Sequence, residues 1–234
     1  MTNGNLAKLL RFDTCILANA VERFNVRPRN EGFISGEAVC RFPKLAPVAG
    51  YAVTGRIHTY MPPVSGHCYY DHADWWQYLV TIPPPRFVVV RDDDERPGFG
   101  AFFGEIHARL CRQLDCVAFL TNGAVRDLDS VERLGFQLFS GSVSVSHAYA
   151  HIVDFGEPVE IGGLKIHPGD LLHGDQHGVL SVPREIAGEL PAKAARIQAE
   201  EAELFEVAER ENLSIDDLAK KIEKFAETQI CRWR

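Results

Sequence analysis

The chain has 234 residues, enough to bury one ordinary core, so it needs no framework of disulfides to hold a fold. Its net charge of −7, from 25 basic against 32 acidic side chains, argues against general affinity for phosphate backbones, which requires clustered Lys and Arg, so nucleic acid is not an expected primary partner. Six cysteines without a CxxC pair read as reduced thiols of a cytoplasmic protein, and neither a signal-peptide core nor an apolar run of about 18 residues is present, so export and membrane insertion are not expected.

Residues 5–25 carry apolar positions in helical period, interrupted by Asp13-Thr14, which predicts two short helices with a second cap at that point. Arg27 to Gly32 and Pro43 to Gly50 read as loops, and Tyr51 to Ile57 as a strand. A helix is expected over Asp71 to Val80, burying Trp75, Trp76 and Leu79, and Pro83-Pro84-Pro85 ends it. Arg86 to Arg91 has the unbroken apolar run of a strand buried on both faces, and the acidic string Asp92 to Glu95 that follows reads as a solvated loop. A helix from Gly104 to Leu114 and a strand from Val117 to Leu120 then complete a βαβ unit.

Further on, Leu128 to Leu134 reads as a short helix, Phe136 to Phe139 as a strand and Ser142 to Val153 as extended chain. A hairpin turns at Gly162-Gly163, and Leu171-Leu172 pairs with Val179 to Pro183 around Asp175-Gln176-His177-Gly178. From Arg184 the composition is helical, punctuated at Pro191 and at the cap-like Ser214. The expected organisation is one α/β catalytic core over residues 1–190, including the N-terminal helices, and a C-terminal helical arm over 191–234.

The stretch from Gly104 to Asp127 carries the chemistry. A helix followed by a buried strand returns the strand-end pair Arg126-Asp127 to the opening of that helix, where backbone N–H groups favour anions. Glu105 at the helix start and Asp127 give two carboxylates beside a guanidinium, a set suited to Mg²⁺ or Mn²⁺, hard ions that take few protein oxygens and several waters. Competing residues are the histidine pairs His147/His151 and His173/His177, each four apart, which suggest either a zinc site or, for His147 and His177, a polar pocket lining. Gly98-x-Gly100 lacks the spacing of a dinucleotide fingerprint.

Glu105, twenty intervening residues and Arg126-Asp127 resemble the acidic-x20-Arg-Asp signature of the class II pyruvate aldolases typified by 4-hydroxy-4-methyl-2-oxoglutarate/4-carboxy-4-hydroxy-2-oxoadipate aldolase, relatives of the regulator of ribonuclease E activity A. Asn122 to Asp127, Pro158-Val159 to Gly162-Gly163, Pro168-Gly169-Asp170 and Asp175 to Pro183 match in the family's order. The resemblance implies a swivelling β/β/α sandwich (phosphohistidine-domain-like), with N-terminal helices and a C-terminal helical arm here, assembled as a homotrimer or a dimer of trimers. It implies that Asp127 ligates Mg²⁺ or Mn²⁺, that Glu105 acts through a metal-bound water, and that Arg126 binds the oxygen that becomes the enolate. The N–H groups around Gly104, Glu105, Ile106 and His107 would hold the carboxylate of a small 2-oxo acid. Glu201, or alternatively Glu200, would reach the metal from a neighbouring subunit.

The implied reaction is retro-aldol cleavage of a 4-hydroxy-2-oxo acid, or decarboxylation of oxaloacetate, through pyruvate enolate. Two departures point to a different substrate: Glu105 stands where these aldolases commonly carry Asp, and the segments Tyr69 to His72, Trp75-Trp76 and Ser146 to Tyr149 fall outside the family pattern. Alternatives are a non-catalytic interaction protein on the same scaffold and another metal-assisted reaction of an oxo acid, such as hydration or isomerisation.

Overall fold

A computed structural model describes residues 3–64, 73–209 and 214–229. Tyr69 to His72, Cys68 and Cys231 lie outside the described residues. Two helices, α1 (Asn3–Leu9) and α2 (Thr14–Glu22), precede strands β1 (Val39–Cys40) and β2 (Val48–His58). Then come α3 (Ala73–Thr81), β3 (Arg86–Asp92), β4 (Ala101–Phe103), α4 (Glu105–Gln113), β5 (Cys116–Val125), α5 (Leu128–Arg133) and β6 (Gln137–Val143). The chain continues through β7 (His151–Phe155), β8 (Val159–Ile161), β9 (Leu164–Ile166), β10 (Leu171–Asp175) and β11 (Gly178–Val182) to the helices α6 (Leu190–Ala208) and α7 (Ile215–Gln229).

The apolar run of β3 is buried on both sides because two different layers cover the sheet. Val88 and Val90 meet Trp75, Leu79 and Ala108 of the helical layer, whereas Phe87 and Val89 pack with Val159, Ile161, Leu164 and Ile166 of the β8–β9 hairpin. Period-two alternation therefore sorts one strand between helices and hairpin, which makes the β/β/α sandwich. Gly162 and Gly163, at φ 55° and 78°, supply the positive φ that the two-residue turn between β8 and β9 requires. A third cluster joins α1, α2 and the first half of α6 to Ala49, Tyr51, Leu171, Leu180 and Val182, so Leu190, Ala194 and Ile197 of α6 are buried with the sheet.

The sheet runs β1-β6-β5-β3-β2-β10-β11, with β2, β3, β5 and β6 parallel and β10 antiparallel to β2. The Asp13 cap is present, its Oδ1 accepting from the Ile16 N–H at 2.7 Å. Arg86 fixes the helical layer to β3: its buried guanidinium donates to the Ile82, Leu114 and Val80 carbonyls at the ends of α3 and α4, where helix dipoles favour a cation.

Three features depart from the sequence reading. The strand after α4 reaches Val125, because β5 leaves β3 beyond Leu120 and is paired at Ala124 and Val125 by β4, a three-residue strand to which the sequence reading assigned no element. Near this divergence Gly123 permits a close approach, since a Cβ there would lie 3.0 Å from Asp92 Cβ. The acidic string is not a solvated loop. Asp92 is fully buried and accepts from the Gly98 N–H, Asp93 bridges Arg56 and Arg91, and Asp94 accepts from Thr59 and Tyr60. It therefore ties β3 to the end of β2.

Burial lowers the pKa of two of the described histidines, His173 and His107. His173 is fully buried, with Nδ1 3.0 Å from Thr14 Oγ1, and desolvation lowers its pKa to about 4; desolvation, aided by Arg126, does the same for His107. An unfolded imidazole titrates near 6.5, so between these values the unfolded chain binds more protons than the fold. Stability from this source is full above about pH 6.5, falls as pH drops toward 4, and each group accounts for roughly 3 kcal/mol at most. Urea midpoints measured from pH 7.5 to pH 4.5 should fall accordingly, and His173→Leu should flatten part of the slope; a wild-type profile without slope contradicts neutral burial.

Candidate active site at the end of β5

The site is built where β5 ends and α4 begins. The chain leaves β4 at Gly104, the N-cap of α4, in extended conformation (φ −151°, ψ −160°), so the first N–H groups of the helix face the end of β5. Asp127 follows β5 in the left-handed region at φ 57°, a conformation that costs a non-glycine residue about 1–2 kcal/mol. Its Oδ2 accepts the Glu105 N–H at 3.0 Å, which offsets that strain and fastens the strand end to the helix start. Arg126 Nε lies 3.5 Å from the same oxygen, and the Arg126 N–H donates to the Phe103 carbonyl at 2.9 Å, completing the link to β4.

Sequence reasoning therefore placed Glu105, Arg126 and Asp127 together, and the structure brings these three to one point. Both Arg126 and Asp127 are about one-third exposed, so the group opens to solvent. Asp127 Oδ1 has no hydrogen bond within the described residues. The Arg109 guanidinium, at 2.6 Å and 2.9 Å from Glu105 Oε1, and the Ser130 hydroxyl hold the Glu105 carboxyl below its usual range. Arg109 was missed by the sequence reading, although its i,i+4 spacing from Glu105 signals the pair. With Glu105 N–H committed to Asp127, the substrate-facing donors expected at this turn are reduced, and Ile106 N–H remains a first-turn donor without an intrahelical acceptor.

The His107 side chain turns inward. It lies against Trp76, Phe102 and Phe103, with ring centroids at 6.0, 4.9 and 5.6 Å, so its neutral ring braces the turn beneath Gly104. Gly104 is required by space: a Cβ would stand 2.5 Å from Asp127 Oδ2 and 3.0 Å from Arg126 Cγ.

The other sequence candidates lie elsewhere. His177 Nδ1 is 3.1 Å from Asp175 Oδ1 in the β10–β11 turn, His173 is buried behind α2, and His147 is exposed with Nδ1 3.2 Å from the Ala148 carbonyl. Glu200 is clamped by Arg23 at 2.7 Å and Arg196 at 2.8 Å, whereas among the described residues Glu201 meets only the Asn19 amide, at 3.5 Å, so Glu201 is less committed than Glu200. Among the described residues no cluster of three or more His, Cys, Asp and Glu side chains is arranged for a metal. The donors present at the strand end nevertheless suit a hard cation. One carboxylate is oriented by a backbone N–H with its second oxygen uncommitted, and a second carboxylate on the adjoining turn leaves the other positions to water.

An α/β sandwich with an acidic and guanidinium group at one strand end defines the class of scaffold, and the comparisons specify it. The family model described as RraA-like, aldolase/RraA, matches residues 14–181, so the chain belongs to this family. A Halalkalibacterium halodurans protein provisionally named as a 4-hydroxy-4-methyl-2-oxoglutarate aldolase is 29% identical over 102 residues, covering 43% of this chain and 49% of that protein. Protein DlpA of Legionella pneumophila is 22% identical over 157 residues, covering 65% of this chain and 25% of its own length. The chain thus spans half or less of these curated relatives. Among solved structures, an uncharacterized protein from Pseudomonas syringae pv. tomato matches with a TM-score of 0.72 at 20% identity, covering 96% of this chain and 95% of that one. An unusual member of the RNase ES inhibitor RraA family from Streptomyces coelicolor matches with a TM-score of 0.66 at 22% identity, covering 90% and 98%. Both carry the same fold. No helix among the described residues is long and apolar enough to cross a membrane.

Gly104→Ala should leave far-UV circular dichroism intact while displacing the Asp127 carboxylate and lowering stability by about 1–3 kcal/mol, the usual cost of overpacking. Urea unfolding together with a crystal structure of the variant checks this, and an unmoved Asp127 contradicts it.

Proposed function

We propose that this protein is a divalent-metal-dependent carbon–carbon lyase that cleaves a 4-hydroxy-2-oxo acid or decarboxylates oxaloacetate to pyruvate. The observation that carries the reading is Asp127, fixed through one oxygen by the Glu105 N–H with the Arg126 guanidinium 3.5 Å away. The aldolase name of a partial relative supports the same class of chemistry.

Asp127 would hold Mg²⁺ or Mn²⁺ directly and Glu105 would hold it through water. When bound, the ion supplies Lewis-acid stabilisation of charge on the substrate's keto oxygen. Arg126 directs its N–H groups at that oxygen, where charge develops as the C3–C4 bond breaks, and a guanidinium fixed beforehand needs little reorganisation. First-turn N–H groups of α4, with Ile106 among them, receive the substrate carboxylate at the positive end of the helix dipole. Glu105, kept ionised by Arg109 and Ser130, accepts the C4 hydroxyl proton through a water in the retro-aldol. Decarboxylation needs no such acceptor, so oxaloacetate is the more permissive substrate.

The exposed Ile106 and Leu110 on α4 support a neighbouring copy covering the site, in a homotrimer or a dimer of trimers, with Glu201 of that copy approaching Asp127. The physiological context is a cytoplasmic enzyme acting on a small 2-oxo acid.

Purified protein with Mg²⁺ or Mn²⁺ should release pyruvate from oxaloacetate in a coupled assay. EDTA or Asp127→Ala should abolish the activity, and Arg126→Ala should reduce kcat by about 10²–10³-fold. Turnover that survives EDTA contradicts the metal-dependent reading, and a well-folded protein without turnover on a panel of 2-oxo acids favours the interaction protein.

A further inference from the structure

A second set of side chains lies on the sheet, where β7 pairs with β2. The register sets His58 directly opposite His151, so the two imidazoles share one face, with ring centroids 6.2 Å apart and planes tilted by 50°. Each ring is anchored through Nδ1. His58 Nδ1 lies 2.9 Å from Asp94 Oδ1, and His151 Nδ1 lies 2.7 Å from the Tyr149 carbonyl. A carbonyl only accepts, so His151 Nδ1 carries a proton, and in the neutral ring the lone pair sits on Nε2. Asp94 is held as a carboxylate: burial opposes its charge, but the Thr59 N–H and hydroxyl and the Tyr60 N–H, at 2.7, 2.9 and 2.9 Å, keep its pKa below the usual range. His58 Nδ1 is therefore also the donor. Neither Nε2 has a partner among the described residues.

Imidazoles that give Nδ1–H to a carboxylate or carbonyl and keep Nε2 bare are oriented as metal ligands are. Two rings bound through nitrogen at about 2 Å to one shared ion stand roughly 5 Å apart between centroids at the tetrahedral angle zinc prefers, so the rings, 6.2 Å apart here, close by about 1 Å on binding. We infer that His58 and His151 form a two-histidine site for a borderline first-row divalent cation, Zn²⁺ being the physiological candidate, with Asp94 and the Tyr149 carbonyl orienting the ligands and water filling the remaining positions. Imidazole pairs select Zn²⁺, Ni²⁺ or Cu²⁺ over the hard ions that carboxylates select, so the site is chemically distinct from the Asp127 group. It also lies on β2, two strand positions from β5 in the sheet. No third His, Cys, Asp or Glu among the described residues completes a closed cage, and His58 is half-exposed, so the ion would be exchangeable.

The test is calorimetric titration of the full chain with Zn²⁺ in excess Mg²⁺, which saturates sites for hard cations. Wild type and Asp127→Asn should each bind one Zn²⁺ with the same affinity. His58→Gln and His151→Gln should weaken that binding at least tenfold, and Asp94→Asn by about 10–100-fold. With Cu²⁺ in place of Zn²⁺, electron paramagnetic resonance should report two coordinating nitrogens in wild type and one in each histidine variant. Thermal unfolding of the metal-free variants verifies that they fold. Zinc binding that is absent from wild type, unchanged in both histidine variants, or lost in Asp127→Asn overturns the inference.

Discussion

The hydrogen bond from the Glu105 N–H to Asp127 Oδ2 is the contact on which the candidate site depends. It closes a loop in space between the end of β5 and the start of α4, two points separated by an entire helix and strand in sequence. Because Asp127 adopts φ 57°, its backbone turns sharply out of the strand and delivers the carboxylate back to the helix. The same turn leaves Arg126 in line with it. A left-handed aspartate is unfavourable in isolation, and it persists here because a charge-assisted bond at a positive helix end stabilises the carboxylate in that position.

The surroundings make this arrangement rigid on one side and open on the other. Beneath the turn, Phe103 stacks on Phe119 at 4.1 Å and His107 lies among aromatic rings, so the helix start cannot sink or rotate without breaking a packed core. Arg86 ties the far ends of α3 and α4 to the sheet. Above the turn, Arg126 and Asp127 remain about one-third exposed, and the α4 surface beside them carries the uncovered Ile106 and Leu110. Rigid support beneath an accessible charged group is what fixed electrostatic catalysis requires.

Much of this was legible in the sequence, for physical reasons tied to particular residues. The apolar run within Arg86 to Arg91 reads as a strand buried on both faces, and the helix and strand that follow it set Glu105 near Arg126 and Asp127 by the geometry of a βαβ unit. What stayed hidden depended on distant partners. β4 is only Ala101–Phe103, and it becomes a strand because β5 overshoots β3 and offers an edge. Asp92 reads as solvated until Asn122, thirty positions on, binds its backbone on both sides. The i,i+4 pairing of His147 with His151 was misleading, since the strand register gives His151 a different neighbour, His58. The Glu105–Arg109 clamp, by contrast, needed only helical spacing to be seen.

The central claim is that Asp127 and Arg126 face one ligand-bound cation. The most direct measurement is a crystal structure of the protein soaked with Mn²⁺ and oxalate, using the manganese anomalous signal to locate the ion. The account predicts a peak within bonding distance of the Asp127 carboxylate, with oxalate oxygens on the ion and the Arg126 guanidinium donating to one of them. An ion bound elsewhere, or Arg126 and Asp127 paired only with each other while oxalate is absent from the end of β5, would contradict it.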